Sequence, residues 1–285
     1  MLSLISCDQI GLSGPGGESK QLSDEQMRSR FLLQKKLADT NDALTQVQSS
    51  IDQLKARQSK LRSANKNKFI QDIIELGGVT PLGLTQATIA LVEFTDYQCP
   101  TCARHAIETM PQIIKDYIDT GKLRYFVRDF PLPSHQQARY AAVVSQCAEA
   151  QGRYWKMHDL LFKNHKRLSS GLYLDLSHTI GLDPDLMSDC LTGAGVIETI
   201  NNDIIYAQSV GVNEAPKFFI GSMDGNKIKN VIMIKEAQPY SVFSALIDLS
   251  LDLNNTEENI KSSHQRKVAI KGEIARLQDD LNVYR

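Results

Sequence analysis

The chain is poor in cysteine, with five in 285 residues, and has a single tryptophan. Five cysteines are too few, and too unevenly placed, for a small disulfide-stapled scaffold. Cys99 and Cys102 form one C-x-x-C, but no second such pair and no paired-histidine motif follows, so the spacing of a zinc ribbon is missing. His135, His165, His178 and His264 form no metal-ligand pattern. No apolar run approaches the roughly 18–20 residues of a membrane-spanning helix. An excess of one charge is absent too: 32 Lys+Arg stand against 33 Asp+Glu, which gives no argument for nucleic acid as partner. What remains is ordinary globular composition, 42% hydrophobic and 23% charged, in a length that allows one large domain or two smaller ones.

Residues 24–68 lack both proline and glycine and hold ten Lys/Arg against five Asp/Glu. Leu33, Leu37, Leu44, Val47, Ile51, Leu54 and Leu61 recur in steps of four and three once Thr40 and Gln58 fill the gaps. That is heptad spacing, opened by a Ser23–Gln26 capping box. It reads as a helix over 23–76 that joins a partner helix or lies on its own domain. A shorter seam of Ile260, Lys267, Ile270, Ile274, Leu277, Leu281 and Tyr284 marks a C-terminal helix over 254–285. The two seams can pair within one chain or with copies in another. At the other end, Leu4-Ile-Ser-Cys7 resembles a bacterial lipobox, followed by a Gly/Ser-rich tether to about residue 22. Either Cys7 is lipidated or four loosely defined positions match by chance; Met1–Ser6 is too short for a full secretory signal.

Between the terminal helices, residues 84–253 alternate strands and helices. Ile89–Thr95 is a short apolar run suited to a buried strand. A helix follows to about Asp119, then a strand from Leu123 that Pro131 and Pro133 end. Residues 134–210 read as helical throughout. Lys217–Gly221 and Lys229–Ile234 form a hairpin through Asp224-Gly225, and a helix closes the region.

The C-x-x-C lies where the first strand meets a helix. Unpaired N–H groups and the helix dipole favour an anion there, which lowers the Cys99 pKa and activates the thiolate. Pro100 suits the first helical turn, and two intervening residues let Cys102 face Cys99. Glu93 is a carboxylate inside an apolar run. It either serves a function in the interior or sits on a solvated face. His105 either adds positive potential near Cys102 or faces solvent, the latter being the simpler reading. His158 reads as a packing or hydrogen-bonding residue.

Phe94-Thr-Asp-Tyr-Gln-Cys-Pro-Thr-Cys102, Cys147-Ala, Tyr154-Trp-Lys-Met-His-Asp-Leu-Phe162, Gly211-Val with Pro216-Lys-Phe-Phe-Ile-Gly221, and Gln238-Pro-Tyr-Ser-Val-Phe243 occur in order. Together they resemble the DsbA-type thiol–disulfide oxidoreductases of bacterial envelopes, within the thioredoxin superfamily. The resemblance spans roughly residues 86–252 and neither terminal helix. It implies an α/β fold: a thioredoxin-like core (β-α-β, then β-β-α) with a helical insertion, flanked here by N- and C-terminal coiled-coil-like helices. It implies Cys99 as the attacking cysteine, Cys102 as the resolving one, Pro216 as a cis-proline and Glu93 as a proton-transferring acid. Ala215, with Pro100 and Thr101, would meet the substrate. Cys147 and Cys190 would form a structural disulfide, the alternative being two buried free thiols.

The activity so implied is formation, reduction or isomerisation of protein disulfides, without cofactor or metal, in the periplasm or envelope. Partners would be thiol- or disulfide-bearing proteins, a membrane partner that recycles the cysteines, and further copies of the chain. The rival from another class is a chaperone or binding module that uses the fold only as a surface.

Overall fold

The structure, a computed structural model, describes residues 22–65, 69–78 and 80–284. Cys7 and its tether lie outside the described residues. The chain divides into two compact units, Met1–Asp52 with Ser262–Arg285, and Gln53–Lys261.

In the first unit, helix α1 (Asp24–Ala64) meets the end of helix α9 (Tyr240–Asn282). Lys36 Nζ lies 3.0 Å from Glu273 Oε1, and Lys267 donates to Gln48 further along, so the two helices run in opposite directions. Leu33, Leu37, Thr40, Leu44, Val47 and Ile51 are partly or fully buried on a helix that, up to Asp52, is otherwise exposed except at Ser29, Ala43 and Gln48. Lys267, Ile270, Ile274, Leu277, Leu281 and Tyr284 are likewise partly or fully buried. The heptad positions thus carry the contact, and of the two pairings open to the sequence this one joins helices of the same chain.

The second unit contains a five-stranded sheet in the order β1-β5-β4-β2-β3, made of Phe69–Glu75, Ile89–Thr95, Leu123–Asp129, Lys217–Asp224 and Lys227–Lys235 as β1 to β5. β2 and β3 are parallel; β4 runs antiparallel to β2, and β5 returns antiparallel to β4 in a hairpin with Gly225 at φ 60° in the turn. All seven residues of β2 are buried. That explains a run without polar alternation, since a central strand covered on both faces presents none to water. Helices α4 to α8 (Ala138–Glu149, Tyr154–Lys163, Ser170–Thr179, Pro184–Thr192, Ala194–Ser209) form the insertion between β3 and β4.

Two expectations change. The helix expected over 23–76 stops at Ala64, and Phe69–Glu75 pairs with β5 as an edge strand. Past Ala64 the heptad lapses, and burial alternates at Ile73 (exposed), Ile74 (buried), Glu75 (exposed) and Leu76 (buried), the period of a strand. Secondly, the closing helix and the C-terminal helix expected from residue 254 are one helix, α9. No proline lies between Tyr240 and Asn282, and Gly272 is accommodated at a cost of about 1 kcal/mol relative to alanine. Between β1 and β2 the chain crosses β3 so closely that a Cβ on Gly78 would lie 2.1 Å from the Val127 carbonyl oxygen, a position only glycine fills.

Candidate active site

β2 ends in a turn built around Asp96. Its Oδ1 accepts from the Gln98 N–H at 2.7 Å, and its carbonyl accepts from the Cys99 N–H at 3.1 Å. Its Oδ2 accepts from the Leu132 N–H at 2.8 Å and meets His135 Nδ1 at 2.8 Å, tying the turn to the segment after β3. This turn delivers Cys99 as the N-cap of helix α2 (Pro100–Arg104), with Pro100 at its first position. The helix continues through a π-turn at His105–Thr109, then α3 (Met110–Ile113) and a second π-turn at Ile114–Ile118.

The N-cap role normally belongs to an oxygen; here a sulfur takes it. Cys99 Sγ accepts from the Cys102 N–H at 3.3 Å and lies 3.0 Å from Thr101 Oγ1. Both cysteines are free thiols, Cys99 3% exposed and Cys102 fully buried. Their proton affinities move apart. The Cys102 thiol first, then Thr101 and the backbone N–H groups of both residues, stabilise a thiolate at Cys99, lowering its pKa to about 6 against the opposing effect of burial. Burial, then the neighbouring Cys99, pushes Cys102 well above the ordinary thiol range.

The Cys99 thiol also donates to the Ala215 carbonyl at 3.4 Å. The Ala215–Pro216 peptide is cis, and Pro216 is buried while Ala215 is half-buried. Lys217, next in the chain and only 3% exposed, donates to Asn213 Oδ1 at 3.0 Å and to the Gly211 carbonyl at 3.4 Å, and pairs with Glu214 at 3.4 Å. Its ammonium therefore holds the loop 211–214 that leads into Ala215. Pro100 and Thr101 are exposed beside the sulfur.

Glu93 is fully buried, not on a solvated face. Its Oε1 accepts from the Thr95 hydroxyl at 2.8 Å and its Oε2 from the Tyr125 hydroxyl at 2.6 Å. Burial raises its pKa to about 7; Tyr125 and Thr95 oppose that rise, and Cys99 adds to it. His105, read from sequence as solvent-facing, is fully buried against Phe218 and Phe243, with Nε2 2.9 Å from the Tyr125 hydroxyl. The residue falls on the inner face because the helix begins at Pro100 and turns through the π-turn that His105 opens. Burial, with His158 adding to it, lowers its pKa to about 3, so no cation stands there at neutral pH. His158 packs between Tyr97, Tyr154, Trp155 and Phe162.

A disulfide joins Cys147 in α4 to Cys190 in α7 with a Cα separation of 5.7 Å. Cys147 belongs to the same apolar cluster as Cys99 and Cys102. Sequence reasoning missed Thr95, Tyr125 and Lys217. Glu93, flanked in register by Val127, shares its face with Tyr125 two positions earlier on the parallel strand, a relation visible only once β2 and β3 are paired. Among the described residues no group of His, Cys, Asp and Glu could hold a metal ion, and no helix is long and apolar enough to cross a membrane.

Comparison with known proteins adds to this geometry. The family model described as Thioredoxin matches residues 77–248. A putative protein-disulfide oxidoreductase of Rickettsia typhi is 26% identical over 148 residues, 50% of this chain and 54% of that protein. A Na(+)/H(+) antiporter NhaA of Salinispora tropica is 28% identical over 170 residues, 59% of this chain but 25% of the antiporter. The chain thus spans about a quarter to a half of the length of these relatives. The crystal structure of Wolbachia pipientis alpha-DsbA1 superposes with a TM-score of 0.55 at 25% identity, covering 61% of this chain and 90% of that one.

Proposed function

Since the chain belongs to the thioredoxin family, on its DsbA-like branch, we propose that it exchanges disulfides with protein substrates through Cys99 and Cys102. In the oxidising direction a substrate thiolate attacks Cys99 Sγ of the Cys99–Cys102 disulfide. That S–S bond breaks, a mixed disulfide forms, and Cys102 leaves as a thiolate that takes a proton from Glu93 in its acid form. A second substrate thiolate attacks the substrate sulfur of the mixed disulfide. The substrate disulfide closes and Cys99 leaves as a thiolate, two electrons having passed from substrate to enzyme. In reduction or isomerisation the Cys102 thiol instead yields its proton to the Glu93 carboxylate and resolves the mixed disulfide.

The observation that carries the reading is the Cys99 sulfur capping α2, its thiolate held at about 6 by hydrogen bonds. Stabilising that thiolate stabilises the reduced protein, which makes the pair more oxidising and favours the oxidase direction. Ala215, with its carbonyl at the sulfur, is the edge against which an extended substrate segment docks, and Pro100 and Thr101 flank it. A module that used the fold only as a surface would have no need of two thiols with divergent proton affinities. The test is the reduction potential of the Cys99–Cys102 pair against a glutathione buffer, with dithiol oxidation followed in parallel. A potential above the glutathione couple with turnover supports an oxidase. A potential near that of thioredoxin turns the reading to a reductase, and absence of exchange refutes it.

The reaction belongs in the cell envelope, with a membrane partner reoxidising the pair. The lipobox-like Leu4-Ile-Ser-Cys7 supports anchoring through Cys7, which a Cys7→Ala variant tests by its distribution between membrane and soluble fractions. Exposed Met27, Phe31 and Leu32 on α1 support association with further copies of the chain; light scattering of Phe31→Glu tests it, an unchanged mass opposing the reading.

A further inference from the structure

His105 and Tyr125 are buried polar side chains that the exchange chemistry leaves unused. Tyr125 donates its hydroxyl to Glu93 Oε2 at 2.6 Å, and the same hydroxyl oxygen lies 2.9 Å from His105 Nε2. The imidazole is packed among aromatic rings, with centroids 4.4 Å from Phe218 and 4.9 Å from Phe243. Its other nitrogen, Nδ1, is buried with no partner.

A neutral imidazole has one N–H. Placed on Nδ1, that proton would be a buried donor without an acceptor, and Tyr125 would divide its hydroxyl between His105 and Glu93. Placed on Nε2, it bonds the Tyr125 oxygen and leaves only a bare lone pair at Nδ1, the smaller penalty. In the second arrangement the Tyr125 hydroxyl cannot turn its proton towards His105, so its O–H is left to Glu93.

We propose that His105 is a positioning residue: its Nε2–H commits the Tyr125 hydroxyl to Glu93 as a fixed donor and so favours the carboxylate form of Glu93. The proposal rests on the reading of Glu93 as the proton partner of Cys102. Other groups facing Glu93 are Cys99 and Cys102 from the helix, Tyr97 from the turn and Tyr154 from α5; His158 faces His105. Burial and the Cys99 thiolate both drive Glu93 towards its neutral acid, and its pKa reaches only about 7 because two hydroxyl donors resist them. Of those donors Thr95 comes from the residue two positions along β2, whereas Tyr125 is held from another strand and steered by His105.

The experiment uses the reduced full chain with ¹³C-labelled glutamate carboxyl groups. Tyr125→Phe removes the donor and raises the Glu93 midpoint by about one unit, tenfold in proton affinity. His105→Phe, which fits the aromatic surroundings, raises it by about half a unit, roughly threefold. In the Tyr125→Phe background His105→Phe adds nothing, because His105 acts through Tyr125. An unmoved midpoint in His105→Phe, or an additive shift in the double variant, overturns the proposal. ¹⁵N spectra of the unaltered chain give a second reading that needs no variant: an Nε2–H tautomer is expected, and an Nδ1–H tautomer overturns the proposal. The pH profile of mixed-disulfide resolution by Cys102 is followed alongside. If the carboxyl midpoint moves and that profile does not, the positioning role stands and the reading of Glu93 as proton partner falls.

Discussion

Two cysteine pairs share one apolar cluster and behave in opposite ways. Cys147 and Cys190, 43 residues apart, close a disulfide between two helices of the insertion. Cys99 and Cys102, three apart, are thiols at a helix start. Burial does not separate them, since Cys99, Cys102 and Cys147 are all nearly or fully buried. Backbone context does. Of the four, Cys99 occupies an N-cap, where N–H groups at the helix start meet its sulfur, and its thiol also meets the Ala215 carbonyl. On the proposed function, reactivity comes from where the helix begins; the apolar surroundings are common to both pairs.

The sharpest break in that comparison is an exchange of roles. Cys99→Ser removes the sulfur that the substrate thiolate attacks, and with it the Cys99–Cys102 disulfide, and should lower dithiol oxidation by roughly three orders of magnitude or more, the scale on which loss of a covalent catalytic group falls. The double change Cys147→Ala with Cys190→Ala should leave the oxidation rate within about threefold while costing stability. A 43-residue loop released from its crosslink is worth about 4 kcal/mol in the chain-entropy account. Chemical denaturation of the double variant measures it. If activity fell as far as in Cys99→Ser, the disulfide would be part of the chemistry and the contrast would collapse.

A smaller effect concerns pH. The lowered pKa of Cys99 means that alkylation of its thiol should rise as pH increases through about 6 and level off above it, whereas Cys102 stays unreactive over the same range. The sign for stability follows. A depressed thiol pKa stabilises the reduced fold fully above the unfolded value of about 8.5, and the gain is lost as pH falls through about 6. Glu93 has the opposite sense: its raised pKa gives a contribution present below about 4.3 and lost as pH rises through about 7. Glu93→Gln should therefore remove the contribution that falls as pH rises from 5 to 7, leaving the stability of the reduced protein to rise with pH through Cys99, and slow Cys102 resolution by about tenfold, within the range of general acid–base contributions. A stability curve parallel to that of the unaltered chain would remove Glu93 from this role.

Much of this contrast was legible in the sequence, for a physical reason. A strand, a C-x-x-C and a proline at the first helical position are local along the chain, and local signals survive without tertiary knowledge. The heptads at Leu33–Ile51 and Lys267–Tyr284 were legible in the same way, because a helix face is periodic whatever covers it. What the sequence hid is non-local. Tyr125 meets Glu93 only through the pairing of β2 with β3, and the buried Lys217 meets Asn213 only because the loop folds back on the strand. His105 was misread because its inward orientation depends on the phase of a helix with two π-turns, which periodicity at 3.6 residues does not track. Phe69–Glu75 was read as helix because it follows a long helical pattern, and its place at the sheet edge depends on β5, more than 150 residues away.

The smallest expected effect sharpens the comparison most, because it alters the thiolate without altering the fold. Thr101 Oγ1 lies 3.0 Å from Cys99 Sγ, and Thr101 is exposed at the start of α2. Thr101→Val keeps the branched shape and loses the hydroxyl. The Cys102 thiol and the backbone N–H groups remain, and Cys102 contributes more to the lowered pKa than Thr101 does. The loss should therefore be partial: a rise of about half a unit in the Cys99 pKa, which is about 0.7 kcal/mol. Because the reduced protein is destabilised by that amount and the disulfide form is not, the pair becomes less oxidising by about 15 mV. Alkylation kinetics against pH give the first number and equilibration with glutathione the second. The two must agree through the same free energy. A pKa that rises while the potential stays fixed would mean that the Cys99 thiolate does not govern the poise of the pair, and that the helix start alone does not explain why these two cysteines differ from Cys147 and Cys190.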